Sequence, residues 1–130
     1  MNTFELTTTT QVMERIAHER SPWAAYRDFL ESWTYAPEHR AELIASPPHG
    51  SGRLRRWTVL LAATVEALAA RDGIPVPAWT SLPEYGPLER AWCVYYRPGK
   101  ALRDWCEQSS PPEFAQRRIW SGSRLLRSRA

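Results

Sequence analysis

The sequence predicts a mainly α-helical fold, a single compact domain whose helices are connected by proline-rich loops. Three observations predict it. Apolar residues recur at helical spacing in several segments. Seven Trp, five Tyr and three Phe can supply a large apolar core, which argues against a disordered chain. Eleven Pro fall mostly between the helical segments, and 130 residues are enough for one domain.

The N-terminal third predicts three helices. Residues 11–20 follow a threonine run and have apolar residues at helical spacing. Ser21 as N-cap and Pro22 at the first helical position predict the start of a second helix, which ends before Pro37. A short third helix is predicted over residues 37–45. The second helix carries one wide apolar face made of Trp23, Tyr26, Phe29, Leu30 and Trp33.

A long alanine- and leucine-rich helix is predicted over residues 53–72, and Gly73 with Pro75 ends it. Residues 46–52 contain two prolines and two glycines, and they read as a linker. The predicted organisation is therefore one domain over 1–130: an N-terminal helical segment (1–45), the linker (46–52), and a core (53–130) around the central helix.

The second half predicts shorter elements. Residues 74–87 are proline-rich, and Trp79 is predicted to pin this loop to the central helix. Residues 88–96 fit a helix or a strand, and a helix that breaks near Val94 is favoured. The alternative is one short strand pair near 92–96 and 118–120. Further helices are predicted at 101–106 and from a serine-capped start at 109–113 through residue 118.

Basic residues concentrate at the C-terminal end. The net charge is +3, but the residues before Phe114 hold twelve basic and fourteen acidic groups. The end of the chain holds no acidic residue and five arginines: Arg117, Arg118, Arg124, Arg127 and Arg129. Such a run suits contact with nucleic acid or with an acidic protein partner. The alternative is a solvated final helix in a protein whose genome is GC-rich.

Several classes of protein are disfavoured. The longest apolar stretch, 59–70, is interrupted by Thr64 and Glu66 and is too short to span a membrane. The first 30 residues lack a signal-peptide pattern, which predicts a cytoplasmic location. Cys93 and Cys106 are expected to be small buried residues and not a disulfide. The histidines lack metal-ligand spacing, so neither a metal nor a cofactor is predicted.

No catalytic motif is found. The chain has no glycine-rich phosphate loop, no GxSxG and no HExxH pattern. No catalytic residue is predicted, and the sequence points away from an enzyme without excluding one.

Three segments carry a family resemblance: PEHRAELIA at 37–45, GIPVPAW at 73–79 and SPPEFAQRRIW at 110–120. Over about residues 37–130 the chain resembles small actinobacterial antitoxin-like domains. The same module follows a helix-turn-helix in proteins encoded beside nucleotidyltransferase-fold toxins. This chain has an aromatic helical hairpin in place of the helix-turn-helix, so the resemblance implies the partner-binding role alone.

Three functions remain open. The first is an antitoxin-like or inhibitory accessory protein that neutralises or regulates a cognate enzyme, with a nucleotidyltransferase-fold toxin as the implied partner. The second is a nucleic-acid-binding regulator that uses the arginine-rich C-terminus. The third is a small enzyme or ligand binder that uses Trp23, Tyr26, Phe29 and Trp33. The predicted partner-binding residues are Trp79, Trp92, Trp120, Arg117, Arg118, Arg124 and Arg127.

Overall fold

The computed structural model of the protein describes residues 6–18 and 21–126, and in this part the fold is mainly α-helical, as predicted. The described helices are α1 (Thr9–His18), α2 (Pro22–Tyr35), α3 (Arg40–Leu43), α4 (Arg55–Asp72), α5 (Lys100–Ser109) and α6 (Pro112–Ala115). The strands are β1 (Trp92–Cys93) and β2 (Ile119–Trp120). Short 3₁₀ turns lie at Pro37–His39, Gly52–Leu54, Ala78–Ser81 and Pro83–Tyr85.

The chain divides into two compact units, and the boundary between Thr58 and Val59 falls inside α4. The single-domain organisation stays a prediction. Within the described ranges, no helix combines the length and the apolar character that crossing a bilayer requires.

In the first unit, α1 packs against α2. The guanidinium of Arg15 on α1 contacts the carboxylate of Asp28 on α2 at 2.6 Å. The Thr9 hydroxyl donates to the carbonyl of Ser46 at 2.7 Å, which ties α1 to the segment after α3. The predicted start of α2 is confirmed, although Ser21 makes no side-chain capping hydrogen bond. The predicted end of α1 at residue 20 lies outside the described residues.

In the second unit, α4 ends as the sequence predicts. Gly73 adopts a left-handed φ of +71°, and the N–H of Ile74 donates to the carbonyl of Ala69 at 2.9 Å. A left-handed residue directly after the last turn lets the following N–H groups donate to the free carbonyls of the helix end. Glycine adopts this backbone conformation with the least strain.

The two strands are parallel, and Trp92 pairs with Ile119 while Cys93 pairs with Trp120. The helix favoured over 88–96 is therefore wrong, and the alternative strand pair is present. The N–H groups of Trp92 and Val94 donate to carbonyls of residues 118 and 120, at 2.9 and 3.2 Å. Because these N–H groups have acceptors on the neighbouring strand, the segment does not depend on the hydrogen bonds of a helix. The connection between the strands contains α5 and α6, as parallel pairing requires.

The predicted serine-capped helix is also different. The residue before α6 is Pro111, and α6 covers only Pro112–Ala115 instead of reaching residue 118. The Ser110 hydroxyl instead donates to the Cys106 carbonyl and accepts the N–H groups of Ser121 and Gly122, at 2.9 and 3.0 Å. Ser110 thus ties the end of α5 to the segment that follows β2.

Two glycines give a matched test of packing in the second unit. Gly73 and Gly122 both have a φ of +71°, but a Cβ on Gly73 meets nothing within 4 Å, whereas one on Gly122 overlaps the Trp105 ring. We expect Gly73→Ala to lower the free energy of unfolding by about 1 kcal/mol, from backbone strain alone. Gly122→Ala should lower it by about 1–3 kcal/mol more, because the indole must shift.

Urea unfolding of the two variants and the parent measures this difference directly. Equal losses for the two alanine variants would contradict the described packing of Gly122 against Trp105.

Candidate functional site

Arg117 is a buried cation of the second unit: it lies in the turn between α6 and β2 and is only 5% exposed. Its Nε donates to the Tyr85 carbonyl at 2.9 Å, and its Nη2 donates to the Thr80 carbonyl at 3.1 Å. Its Nη1 donates to Glu66 Oε1 at 2.7 Å and to the Glu113 carbonyl at 3.0 Å. One guanidinium therefore joins α4, both 3₁₀ turns of the proline-rich loop, and α6.

This placement differs from the surface contact that the sequence favoured for Arg117. Glu66 is the one acidic residue on the otherwise apolar middle of α4, and its side chain is mostly buried. A carboxylate in such a position requires a cation and further hydrogen bonds. Arg117 supplies the cation and one hydrogen bond to Glu66 Oε1, and its planar fork reaches three backbone carbonyls at the same time.

Arg118 also binds its own chain, but at the surface. It is exposed and has a left-handed φ of +61°. Its Nη1 donates to the carbonyls of Leu88 and Glu89, at 3.3 and 3.1 Å. These contacts tie the residue before β2 to the segment before β1.

The predicted tryptophan anchors fall into two environments. Trp79 is buried and makes an edge-to-face contact with Tyr85, with the ring centroids 4.9 Å apart. Trp92 and Trp120 are half-buried, one on each strand of the sheet. Trp79 therefore packs within the unit beside the carbonyl that Arg117 binds, whereas Trp92 and Trp120 retain some exposed surface.

The remaining arginines of the predicted site are Arg124 and Arg127. Arg124 is exposed, and its guanidinium lies 5.8 Å from the centroid of the half-buried Trp105 ring. This distance is within the range of a cation–π interaction. Arg127 lies outside the described residues.

A second arginine–aromatic pair was missed by sequence reasoning. Tyr96 is 85% exposed, and the Arg97 guanidinium lies 5.2 Å from its ring centroid. Arg97 has a left-handed φ of +46°, which is strained for a residue with a side chain. The sequence predicts a turn at Pro98-Gly99, but the residue before a proline is expected to be extended, so the sequence gives no signal for the left-handed backbone of Arg97. In the described part of the second unit, we call Arg97 on Tyr96 and Arg124 on Trp105 the two arginine–aromatic pairs.

The aromatic face of α2 is the core of the first unit. Tyr26, Phe29 and Trp33 are almost completely buried. Trp23 is half-buried and makes edge-to-face contacts with Tyr26 and Trp57, at centroid distances of 5.5 and 4.8 Å. Side chains as buried as Tyr26, Phe29 and Trp33 offer no surface to a ligand without local opening.

The two cysteines of the second unit are free thiols, and Cys93 is a neighbour that affects the pKa of Cys106. Cys106 on α5 is buried, and Cys93 on β1 is half-buried. Burial, with a smaller effect from Cys93, raises the pKa of the Cys106 thiol to about 11. In the described part of the chain, no three His, Cys, Asp or Glu side chains are grouped so that they could hold a metal ion.

No family model matches the sequence, and searches of curated proteins and of solved structures also find no match. The antitoxin-like resemblance therefore stays a prediction, and a function has to be inferred from the residues of the site.

The buried role of Arg117 predicts that even a charge-conserving change is costly. A lysine at this position cannot reach the four acceptors that Arg117 binds. Buried carbonyls then lose their donors, and we expect Arg117→Lys to lower the free energy of unfolding by about 2–4 kcal/mol.

Arg118→Lys is the matched control, because it makes the same change one residue later at an exposed position. We expect it to cost less than about 1 kcal/mol, as for other exposed polar contacts. Denaturant unfolding of both variants tests the contrast, and a small loss for Arg117→Lys equal to that of the control would contradict the buried network.

Proposed function

We propose that this chain is an antitoxin-like or inhibitory accessory protein that binds a cognate enzyme and neutralises or regulates it. The contact is made by the second unit, around the two arginine–aromatic pairs. The observation that carries the proposal is the exposed Tyr96 ring with the Arg97 guanidinium against it.

The residue types of this pair suit a protein partner. Tyr, Trp and Arg are enriched among the interface residues that contribute most to binding energy. A ring that already contacts its neighbour has less conformational freedom to lose when a partner binds. The strained backbone of Arg97 has no role in the unit's core, and strain of this kind is concentrated at functional sites.

The charges of the two pairs favour an acidic partner surface. Within residues 6–18 and 21–126, no ion pair joins the guanidinium of Arg97 or Arg124 to a carboxylate. Both can therefore attract acidic groups on an enzyme and orient it during association. The nucleotidyltransferase-fold toxin implied by the resemblance is the partner class we propose, and the cytoplasm is the proposed location.

A protein partner is favoured over nucleic acid because, up to residue 126, the C-terminal arginines do not form one continuous basic surface. Arg117 and Arg118 donate their hydrogen bonds to their own chain. Phosphate binding needs several arginines that are free to neutralise the backbone. The two arginine–aromatic pairs need only a local acidic surface.

The test is co-expression of the full chain with the product of the adjacent gene, followed by co-purification and measurement of Kd. We expect Tyr96→Ala to weaken binding by about 30-fold or more, which corresponds to about 2 kcal/mol for a central interface tyrosine. Tyr35→Ala is the matched control, since Tyr35 is a 68% exposed tyrosine of the first unit. It should change Kd by less than about twofold.

Arg97→Gly separates binding from folding. Glycine relieves the left-handed strain, so the free energy of unfolding should stay the same or rise by up to about 1 kcal/mol, while binding weakens through loss of the guanidinium. Equal effects of Tyr96→Ala and Tyr35→Ala, or no complex with the adjacent product, would contradict the proposal. Steeply salt-dependent binding to a DNA or RNA probe without such a complex would support the nucleic-acid alternative instead.

A further inference from the structure

Cys93 and Cys106 lie on backbone segments that are tied to each other. β1 and β2 pair with Cys93 beside Trp120, which places Cys93 next to the C-terminal end of β2. Directly after β2, the N–H groups of Ser121 and Gly122 donate to the Ser110 hydroxyl, and that hydroxyl donates to the carbonyl of Cys106. The strand pair is thus joined to the end of α5 close to the backbone of both cysteines.

A further contact fixes the same region of α5. Gly122 lies so close to the Trp105 ring that it leaves no space for a Cβ. Trp105 immediately precedes Cys106, and Cys93 lies near enough to the Cys106 thiol to contribute to its raised pKa. Two neighbouring cysteines on backbone segments tied in this way need less rearrangement to form a bond than two cysteines on independent segments.

We propose that Cys93 and Cys106 are a redox modification site, at which a small-molecule disulfide such as oxidised glutathione converts the two thiols to an intramolecular disulfide. This proposal does not rest on the proposed function. Intracellular disulfides of this kind are usually reversible and redox-sensing, in contrast to the permanent bonds of secreted proteins.

The exposure of the two thiols sets the order of the steps. Cys93 is half-buried and Cys106 is buried, so Cys93 is the thiol that an oxidant reaches first. Burial also raises the pKa of Cys106, which lowers the fraction of its reactive thiolate.

The reaction is two successive thiol–disulfide exchanges. The Cys93 thiol loses its proton, and its sulfur attacks one sulfur of oxidised glutathione. The glutathione S–S bond breaks, a mixed disulfide forms at Cys93, and one glutathione thiolate leaves. The Cys106 thiol then loses its proton and attacks the Cys93 sulfur, which releases the second glutathione thiolate. The two protons end on the two released glutathiones, so the protein is oxidised by two electrons and one oxidised glutathione becomes two reduced glutathiones.

The chain segment closed by the disulfide would contain Tyr96 and Arg97, since both lie between the two cysteines. Oxidation would therefore constrain the segment that carries one arginine–aromatic pair. Reduction by thiols would release it again.

The experiment equilibrates the full-length protein with glutathione buffers of graded oxidised-to-reduced ratio, in native buffer and in concentrated guanidinium chloride. Acid quenching, alkylation and intact-mass measurement give the fraction of disulfide. In the unfolded chain the thiols meet only through a flexible loop, with an effective concentration on the order of millimolar. We expect the equilibrium constant for disulfide formation to be at least about 10-fold larger in the native protein. An equal or smaller constant in the native protein would overturn the proposal.

Two serine variants test the order of the steps. In native buffer, Cys106→Ser should accumulate the mixed disulfide with glutathione at Cys93. Cys93→Ser should keep Cys106 unmodified under the same conditions. Faster modification of Cys106 than of Cys93 would contradict the assigned order. The equilibrium constants for disulfide formation in the native and the denatured parent protein are compared without any variant. The proposal is therefore tested even if a substitution prevents folding.

Discussion

The second unit depends on the buried contact between Arg117 and Glu66, at 2.7 Å. Residues 74–87 contain four prolines, and such a loop has few backbone donors with which to hold its own shape. The Arg117 guanidinium supplies donors from outside, to the carbonyls of Thr80 and Tyr85. One cation thus binds the carboxylate on α4 and a carbonyl in each 3₁₀ turn of the proline-rich loop.

The position of the strand pair follows from the same contact. Arg117 lies two residues before β2, and its carbonyl accepts the N–H of Leu88 at 3.1 Å. Arg118 then binds the carbonyls of Leu88 and Glu89. Once the guanidinium of Arg117 is fixed, the chain before β1 is held beside the chain before β2. The parallel pairing, and with it the position of Cys93, continues from that point.

The elements that the sequence predicts well have a local cause. The start of α2 follows from a Ser-Pro pair and the end of α4 from Gly73, and both effects act within a few residues. Strands of two residues are too short to show a periodicity, so β1 and β2 could not be distinguished from a helix or a loop. The Arg117 contact joins residues 51 positions apart and uses carbonyls of an irregular loop, which no spacing rule reveals. By composition, the five C-terminal arginines form one basic run. In the structure, Arg117 is part of the core, and Arg118 binds the segment before β1.

The most direct measurement of the central contact is hydrogen exchange at the Nε–H of Arg117, observed by NMR of the isotopically labelled protein. Its donation to the Tyr85 carbonyl in a buried site predicts strong protection, with exchange only when the second unit opens and at a rate close to that of the most protected amides of α4. The exposed Arg97 Nε–H is the internal reference and should exchange rapidly. An Arg117 Nε–H that exchanges as fast as that of Arg97 would contradict the account.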